Sequence, residues 1–372
     1  DITALRFSQD GKLLVSGAYQ ELKVWDVATK KQLFVQNDRR KSYKEKLIKH
    51  YVNDIVFAPN QKVFATGSGR STGKGDIVLW NTKTFKILKH FDLAKSEGYA
   101  RALAFGKNGK TLYNTGSLGM VQGRNIKTGK LVTNFESKGS GHPCPCGFSP
   151  DLKYVFSACG STWVVQSLAT GKVVYSRKRG DLNHTSIAFN AKNSSFAVAG
   201  QDASEKYSID LFYDQTGRLI RSLQGYPGQI TSVKFSHNNF RIASGNYQRP
   251  TRVWEIDGGG GYKNFTEGTY TKRGDITSTV AFSPDDKILY NGVQGRIFAW
   301  KTKDAQLVKR IMKGARERHN IVLTPDGKTI LHNNGSAQLW DSKTGKAIKN
   351  LGRARSMTRC VAISPKGDIY YA

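Results

Sequence analysis

Two short segments of the chain contain residue types that could do chemistry. "HPCPCG" at His142–Gly147 brings one histidine and two cysteines together, and imidazole and thiolate groups are zinc ligands. The spacing does not match a zinc knuckle, and no second Cys/His pair follows nearby. The simpler interpretation places the two cysteines, as small residues, on opposite faces of a strand. Whether Cys144 pairs with Cys159 across a hairpin stays open at this stage.

The second segment, "GSGRSTGKGD" at Gly67–Asp76, resembles a phosphate-binding loop only superficially. Gly follows its Gly-Lys pair where a phosphate loop has Ser or Thr, and predicted strands flank it where a helix would be needed. A flexible hairpin loop is therefore expected. The seven histidines stand in different settings, and neither HExxH nor GxSxG occurs. The sequence predicts no catalytic residues, no metal and no cofactor, and hence a protein that is not an enzyme.

Two phrases recur along the whole chain, and they indicate the elements that position every other residue. The first reads "LRFSQDGK" from Leu5 and "VAFSPDDK" from Val280, and nine copies of it lie 40 to 50 residues apart. The second reads "LKVWDVATKK" from Leu22 and "SAQLWDSKTGK" from Ser336. A period of this length is typical of a four-stranded propeller blade. The predicted repeats are roughly 1–35, 52–91, 99–135, 142–176, 184–223, 229–265, 276–311 and 319–351, with a partial repeat at 358–372.

The physical chemistry of one repeat supports four antiparallel strands. In residues 319–351 an apolar run is followed by "TPDG", in which Pro fixes φ and Gly can take a positive φ. Strand-length segments, the turn "DSKTGK" and a last strand follow. No sustained helical period is present. Such a sheet cannot cover both of its faces alone, and radial stacking buries them. The recurring Trp is predicted to pack between neighbouring sheets, and the polar residue after it to form the turn.

These phrases resemble the WD-repeat family of β-propellers over essentially the whole chain. Trp25–Asp26 and Trp340–Asp341 match the family dipeptide, whereas repeats three to five have lost the Trp. Gly141–His142 is the only Gly-His pair, so the resemblance predicts that the family's buried hydrogen-bond network is mostly missing. It also implies a scaffold that holds peptides or protein partners on one face.

The repeat count predicts an all-β fold, a single β-propeller over residues 1–372 built from four-stranded antiparallel blades. Eight blades are expected, and seven blades plus part of a second propeller is the alternative. The unfinished ninth repeat and the start at Asp1 suggest either a piece of a longer protein or an irregular last hairpin.

Charge is the main departure from an ordinary globular protein, with a formal net charge of +30. Turns between the first and second and between the third and fourth strands should share one face, and links between blades should lie on the other. The links are the basic segments, and a positive face attracts polyanions. Tyr43, Tyr51 and Tyr226 lie in the same links and could stack on bases. The candidate binding residues are Arg39, Arg40, Lys41, Lys44, Arg177, Lys178, Arg179, Arg310, Lys313, Arg316, Arg318, Arg353 and Arg355.

The sequence therefore predicts a non-enzymatic scaffold whose basic link face binds an acidic protein partner or a polyanion such as RNA. The alternative is a sensor or scaffold propeller of a larger multidomain protein with no nucleic-acid role. No apolar run is long enough to span a membrane. The composition favours the cytoplasm, secretion after signal removal is the alternative, and the oligomeric state stays open.

Overall fold

Eight four-stranded antiparallel sheets follow one another along the chain, with the strands of each sheet in chain order. This is the architecture of an eight-bladed β-propeller, so the prediction of eight blades is confirmed. The computed structural model describes residues 2–69, 75–93, 98–116, 119–137, 146–149, 151–159, 162–178, 186–190, 195–201, 207–213, 216, 218–226, 228–246, 250–256, 261–266, 277–293, 296–311, 320–333, 336–353, 361–363 and 369–371. The four strands of each blade are called A to D in chain order.

Two compact units divide the chain, the first formed by residues 1–177, 359–366 and 370–372 and the second by residues 178–358 and 367–369. Blades 1 to 4 comprise sixteen strands: β1 (Ile2–Phe7), β2 (Leu13–Ala18), β3 (Glu21–Asp26), β4 (Gln32–Asn37), β5 (Val52–Phe57), β6 (Val63–Ser68), β7 (Asp76–Asn81), β8 (Ile87–Asp92), β9 (Ala100–Phe105), β10 (Thr111–Gly116), β11 (Met120–Asn125), β12 (Leu131–Glu136), β13 (Cys146–Phe148), β14 (Tyr154–Cys159), β15 (Thr162–Ser167) and β16 (Val173–Lys178).

Blades 5 to 8 repeat the same plan with sixteen further strands: β17 (Ser186–Asn190), β18 (Ser195–Gln201), β19 (Tyr207–Tyr213), β20 (Leu219–Tyr226), β21 (Ile230–Phe235), β22 (Arg241–Asn246), β23 (Thr251–Glu255), β24 (Tyr262–Phe265), β25 (Thr277–Phe282), β26 (Ile288–Val293), β27 (Arg296–Lys301), β28 (Leu307–Arg310), β29 (Asn320–Leu323), β30 (Thr329–Asn333), β31 (Ser336–Asp341) and β32 (Ala347–Arg353). The short strands β33 (Val361–Ile363) and β34 (Ile369–Tyr371) form a two-stranded sheet, and β33 lies beside β1.

The recurring phrases form turns, as the sequence predicted. In the AB turn of blade 1, the Ser8 hydroxyl donates to Asp10 Oδ1 at 2.6 Å and accepts the Leu13 N–H at 2.9 Å. In the CD turn, Asp26 Oδ1 accepts the Thr29 N–H at 2.6 Å and the Thr29 hydroxyl at 2.8 Å. The aspartate of the Trp-Asp dipeptide thus accepts hydrogen bonds within its own turn, and this role in the turn explains why it recurs.

The recurring tryptophans pack between neighbouring blades. Trp80 is fully buried in a cluster that contains Val15 and Val24 of blade 1 and Phe64 of its own blade. Its indole N–H donates to Thr66 Oγ1 on the neighbouring strand at 3.0 Å. Trp300 is buried in the same way, and its indole N–H donates to Asn291 Oδ1 at 2.9 Å. The indole N–H groups of Trp80 and Trp300 are therefore satisfied by strand B without the histidine that the family favours.

The AB turns also join adjacent blades. Asp286 has a φ of +57° at the position where blades 1, 3 and 8 carry glycine, and it is almost completely buried. Its carboxylate accepts the N–H groups of His237 and Asn238, both at 2.7 Å, from the AB turn of blade 6. Gln61 has the same conformation in blade 2, and its Oε1 accepts the Gln9 N–H at 2.9 Å. The side chains of Asp286 and Gln61 therefore tie their blades to the preceding ones.

Candidate interaction surface

The predicted basic residues that the structure describes lie at the D-strand ends of their blades or in the link that follows. Arg39, Arg40, Lys41 and Lys44 belong to the link between β4 and β5, and Arg310 is the last residue of β28. Arg177, Lys178 and Arg353 end β16 and β32, where only the backbone is described. Arg179, Lys313, Arg316, Arg318 and Arg355 lie outside the described residues. Residues 38–51, called here the basic link, are therefore the part of the predicted face whose side-chain geometry can be examined.

The basic link has a defined local structure. A short 3-10 helix spans Tyr43–Glu45, and Ser42 precedes it as the N-cap. The Glu45 carboxylate accepts the Ser42 N–H at 3.2 Å and the Ser42 hydroxyl at 2.7 Å, as the glutamate of a capping box does for the N-cap N–H. Glu45 is thus held at the helix by Ser42.

A buried aspartate holds the link to blade 1. Asp38 has no exposed surface, and its Oδ2 accepts the N–H groups of Leu47 at 3.1 Å and Ile48 at 2.9 Å. Its Oδ1 accepts Gln36 Nε2 at 2.7 Å and forms an ion pair with Lys41 Nζ at 2.6 Å. Although burial opposes ionisation, Lys41 and the Ile48 N–H keep the pKa of Asp38 below its usual value. The carboxylate therefore fixes both ends of the link as an anion.

Three lysines of the link are bound by groups of the protein itself. Lys41 pairs with Asp38, and Lys46 Nζ donates to Gln20 Oε1 at 3.0 Å. The mostly buried Lys49 forms an ion pair with Asp92 at the end of β8. Because these three are used internally, the basic link presents fewer cations to a partner than its sequence suggests.

The cations that remain at the surface lie beside an exposed aromatic pair. Arg39, Arg40 and Lys44 are exposed, and Arg39 Nε donates to the backbone oxygen of Tyr19 at 3.3 Å. Tyr19 and Tyr51 face each other with ring centroids 4.9 Å apart, and each is 39% exposed. Tyr19 follows β2 in the BC turn, so this turn and the basic link lie at the same end of blade 1. The exposed surface thus combines three cations with two tyrosines.

A cluster of titratable groups underlies the link. Asp76, the first residue of β7, is nearly inaccessible, and its Oδ2 accepts the Lys49 N–H at 3.2 Å. Desolvation raises the pKa of Asp76 to about 6, against the opposing influence of the Ser68 hydroxyl and the Lys49 N–H. Desolvation likewise lowers the pKa of His90, although the neighbouring Asp92 opposes that shift.

A match to a family model decides which family this architecture represents. The model described as "WD domain, G-beta repeat" matches residues 1–26 and 217–254. The chain belongs to the WD-repeat family. Its repeats elsewhere are divergent, in agreement with the missing Trp residues of blades 3 to 5.

Several WD-repeat relatives are similar to this chain at low identity. A guanine nucleotide-binding protein subunit beta from Oryza sativa subsp. japonica is 24% identical over 262 residues, which cover 63% of this chain and 65% of the relative. A WD repeat-containing protein 91 homolog from Dictyostelium discoideum is 24% identical over 272 residues, which cover 69% of this chain and 33% of the relative. Autophagy-related protein 16 from Arabidopsis thaliana is 24% identical over 187 residues, which cover 49% of this chain and 35% of the relative. The match thus spans less than two thirds of the length of each of these relatives.

The fold has a counterpart among solved structures. The crystal structure of the computationally designed Ika8 protein superposes with a TM-score of 0.60 at 22% sequence identity, covering 91% of this chain and 96% of that protein. This likeness concerns the fold. The WD-repeat relatives support a protein-interaction scaffold, and propellers of this family are generally not enzymes.

The two chemistry-bearing segments lead to no site in the described part of this WD-repeat protein. Gly67 and Asp76 lie on β6 and β7, so strands flank the glycine-rich loop as predicted, and residues 70–74 lie outside the described residues. His142 and Cys144 also lie outside them, and the question of a Cys144–Cys159 pair with them. Among the described residues, no three His, Cys, Asp or Glu side chains are grouped to hold a metal ion. No helix in the described portion is long and apolar enough to cross a membrane.

Sequence reasoning missed the residues that shape the surface. The sequence alone assigns no role to Asp38 or Asp76, although both are buried and organise the link. Tyr19 was overlooked because it lies in a BC turn and not in a link. The Ser42-x-x-Glu45 pattern was a usable signal for the capping box.

Proposed function

We propose that this WD-repeat protein is a non-enzymatic scaffold that binds an acidic segment of a protein partner on the basic link and the adjacent Tyr19–Tyr51 pair. The observation that carries the proposal is the internal fixation of the link. Asp38 fixes the link from inside, while Arg39, Arg40 and Lys44 remain exposed beside two tyrosines. A surface that is ordered before binding loses little conformational entropy when a partner arrives.

The residue types favour a protein partner over RNA as the primary ligand. Tyr and Arg are the residues that contribute most often to the energetic centres of protein interfaces. The two tyrosine rings lie against each other at 4.9 Å, which uses part of the surface that a base would need for stacking. The family also supports interaction with proteins. Binding of RNA to the same surface is the alternative, and the experiment below distinguishes it from binding of an acidic protein segment.

The test compares two variants with the same change in net charge. The link variant carries Arg39→Gln, Arg40→Gln and Lys44→Gln. The paired-lysine variant carries Lys12→Gln, Lys153→Gln and Lys328→Gln, which replace exposed AB-turn lysines that lie 3.4 to 3.9 Å from aspartates of their own turns. Binding of a fluorescent glutamate-rich peptide should weaken roughly tenfold in the link variant, since exposed ion pairs contribute about 0.5 kcal/mol each.

The control separates the proposed site from the general charge of the protein. The paired-lysine variant should bind the peptide as the wild type does. Equal weakening in both variants would show that the net charge acts at a distance, and it would contradict the proposal. Binding of single-stranded RNA but not of the peptide would replace the acidic partner with a nucleic acid.

A further inference from the structure

A second positively charged surface lies at the opposite end of blades 2 to 4, in the CD turns. Five exposed lysines stand in or directly after these turns: Lys83, Lys86, Lys127, Lys130 and Lys172. The residue that follows the Trp position is Asn81, Asn125 or Ser167 here, whereas blades 1 and 8 have Asp26 and Asp341. Residues 81–89, 125–133 and 167–175 contain no carboxylate at all. The three turns thus form a lysine surface without internal neutralisation, called here the lysine band.

Exposed aliphatic side chains accompany the lysines on the D strands that follow. Leu88 is 51% exposed and Val132 is 58% exposed, and D strands of other blades also carry exposed aliphatic residues, such as Ile348 at 54%. Ile87, Leu131 and Val173 are also exposed. Lys86, Lys130 and Lys172 are therefore each followed directly by an apolar side chain that reaches solvent.

The three turns are fixed to one another by contacts between blades. Lys89 Nζ on β8 donates to the backbone oxygen of Lys127 in the next CD turn at 2.6 Å. A Cβ atom at Gly129 would lie 3.2 Å from Phe91 Cε1, and one at Gly171 would lie 2.8 Å from Phe135 Cγ, so each turn rests on the D strand of the preceding blade. Both glycines have φ near +70° to +80°, a conformation that glycine adopts without strain. The lysine band is therefore continuous and stiff.

The composition of the band points to the chemistry of its ligand. All five exposed cations are lysines, whereas specific recognition of carboxylates or phosphates in proteins favours the planar fork of arginine, and lysine is depleted at protein interfaces. The exposed apolar residues of the band are aliphatic, so they offer no platform for base stacking. A diffuse anionic layer with an apolar interior beneath it satisfies both features.

We propose that the lysine band of blades 2 to 4 docks the protein on the surface of a membrane that contains anionic lipids. Lysines at the turn tips lie in the headgroup layer, and the adjacent aliphatic side chains reach the boundary of the acyl chains. Electrostatic attraction and shallow apolar insertion act together in such peripheral binding. This surface lies at the other end of the blades from the basic link, so the protein can hold a partner while it is bound to a membrane.

Vesicle sedimentation tests the proposal with the full chain. Vesicles of phosphatidylcholine with about 30 mol% phosphatidylserine should bind the protein at low salt, and pure phosphatidylcholine vesicles should bind it far less. The variant Lys86→Gln, Lys130→Gln and Lys172→Gln should bind the anionic vesicles about a hundredfold more weakly, from roughly fivefold for each lysine. The link variant, which loses the same charge, should bind them as the wild type does.

A second variant examines the apolar part of the band. Leu88→Ser with Val132→Ser keeps every charge and should lower binding to the anionic vesicles about tenfold, because two side chains no longer leave water. No binding to anionic vesicles, or equal losses in the lysine-band and link variants, would overturn the proposal. The proposal would also be overturned if the lysine-band variant lost binding to RNA while its binding to vesicles stayed unchanged. Peptide binding should fall in the link variant and stay unchanged in the lysine-band variant. A failure of the membrane proposal is therefore distinguishable from a failure of the proposed scaffold function.

Discussion

Replacement of Asp76 by asparagine should stabilise the protein at neutral pH. The carboxyl group is 1% exposed, and burial raises its pKa to about 6 from an ordinary value of 3.8. Between these two pH values the native state binds a proton that the unfolded state has released. The free energy of unfolding therefore falls as the pH rises through this window and levels off above pH 6. A shift of about 2 pKa units corresponds to about 3 kcal/mol at neutral pH.

Asparagine has nearly the same shape, and its side-chain oxygen can accept the Lys49 N–H as Asp76 Oδ2 does. Urea unfolding of wild type and Asp76→Asn should show little difference near pH 4 and an advantage of up to about 3 kcal/mol for the variant near pH 7.5. Asp151→Asn is the control with the opposite sign. Desolvation raises the pKa of Asp151, but hydrogen bonds from Ser149 and Lys153 outweigh it and lower that pKa below its usual value. Replacement of Asp151 should therefore destabilise the protein at neutral pH. A difference between wild type and Asp76→Asn that does not change with pH would refute the reasoning.

Three further substitutions test the contacts that hold the blades and the link. Asp38→Ala should lower the free energy of unfolding by about 3–5 kcal/mol, because buried N–H groups and Lys41 lose their acceptor, and it should also weaken peptide binding. Trp80→Ala should cost about 3–5 kcal/mol in urea unfolding, whereas a near-neutral effect would mean that the tryptophan does not fill the space between blades 1 and 2. Asp286→Gly should cost about 1–3 kcal/mol, although glycine suits the positive φ, because the N–H groups of His237 and Asn238 lose their acceptor, and Asp286→Asn should retain part of the stability.

The fold could be predicted from the sequence because its determinants are local and repeated. The side chains of a turn such as "WDVATK" bond within its own six residues, where Asp26 accepts from Thr29, so the turn can be predicted without knowledge of distant parts of the chain. Eight such units with strand-length segments between them specify blades. Repetition also made the interpretation robust where a blade had lost its Trp.

The interaction surface could be predicted only in outline because its details depend on contacts between distant residues. Lys49 and Asp92 are 43 positions apart, and their ion pair withdraws a cation of the basic link from the surface. Asp38 looks like one more solvated charge in a basic run, and only the fold reveals that it is buried. The loss of carboxylates from three consecutive CD turns was visible in the sequence, but its meaning requires the turns to be adjacent.

The most direct test of the interaction surface is the salt dependence of peptide binding. The affinity of the wild type for a glutamate-rich peptide should fall linearly on a plot of log affinity against log salt, because binding releases counterions. The link variant should bind more weakly at low salt with a slope smaller by about two to three. Identical slopes for the wild type and the link variant would contradict the account, because the exposed cations Arg39, Arg40 and Lys44 would then take no part in binding.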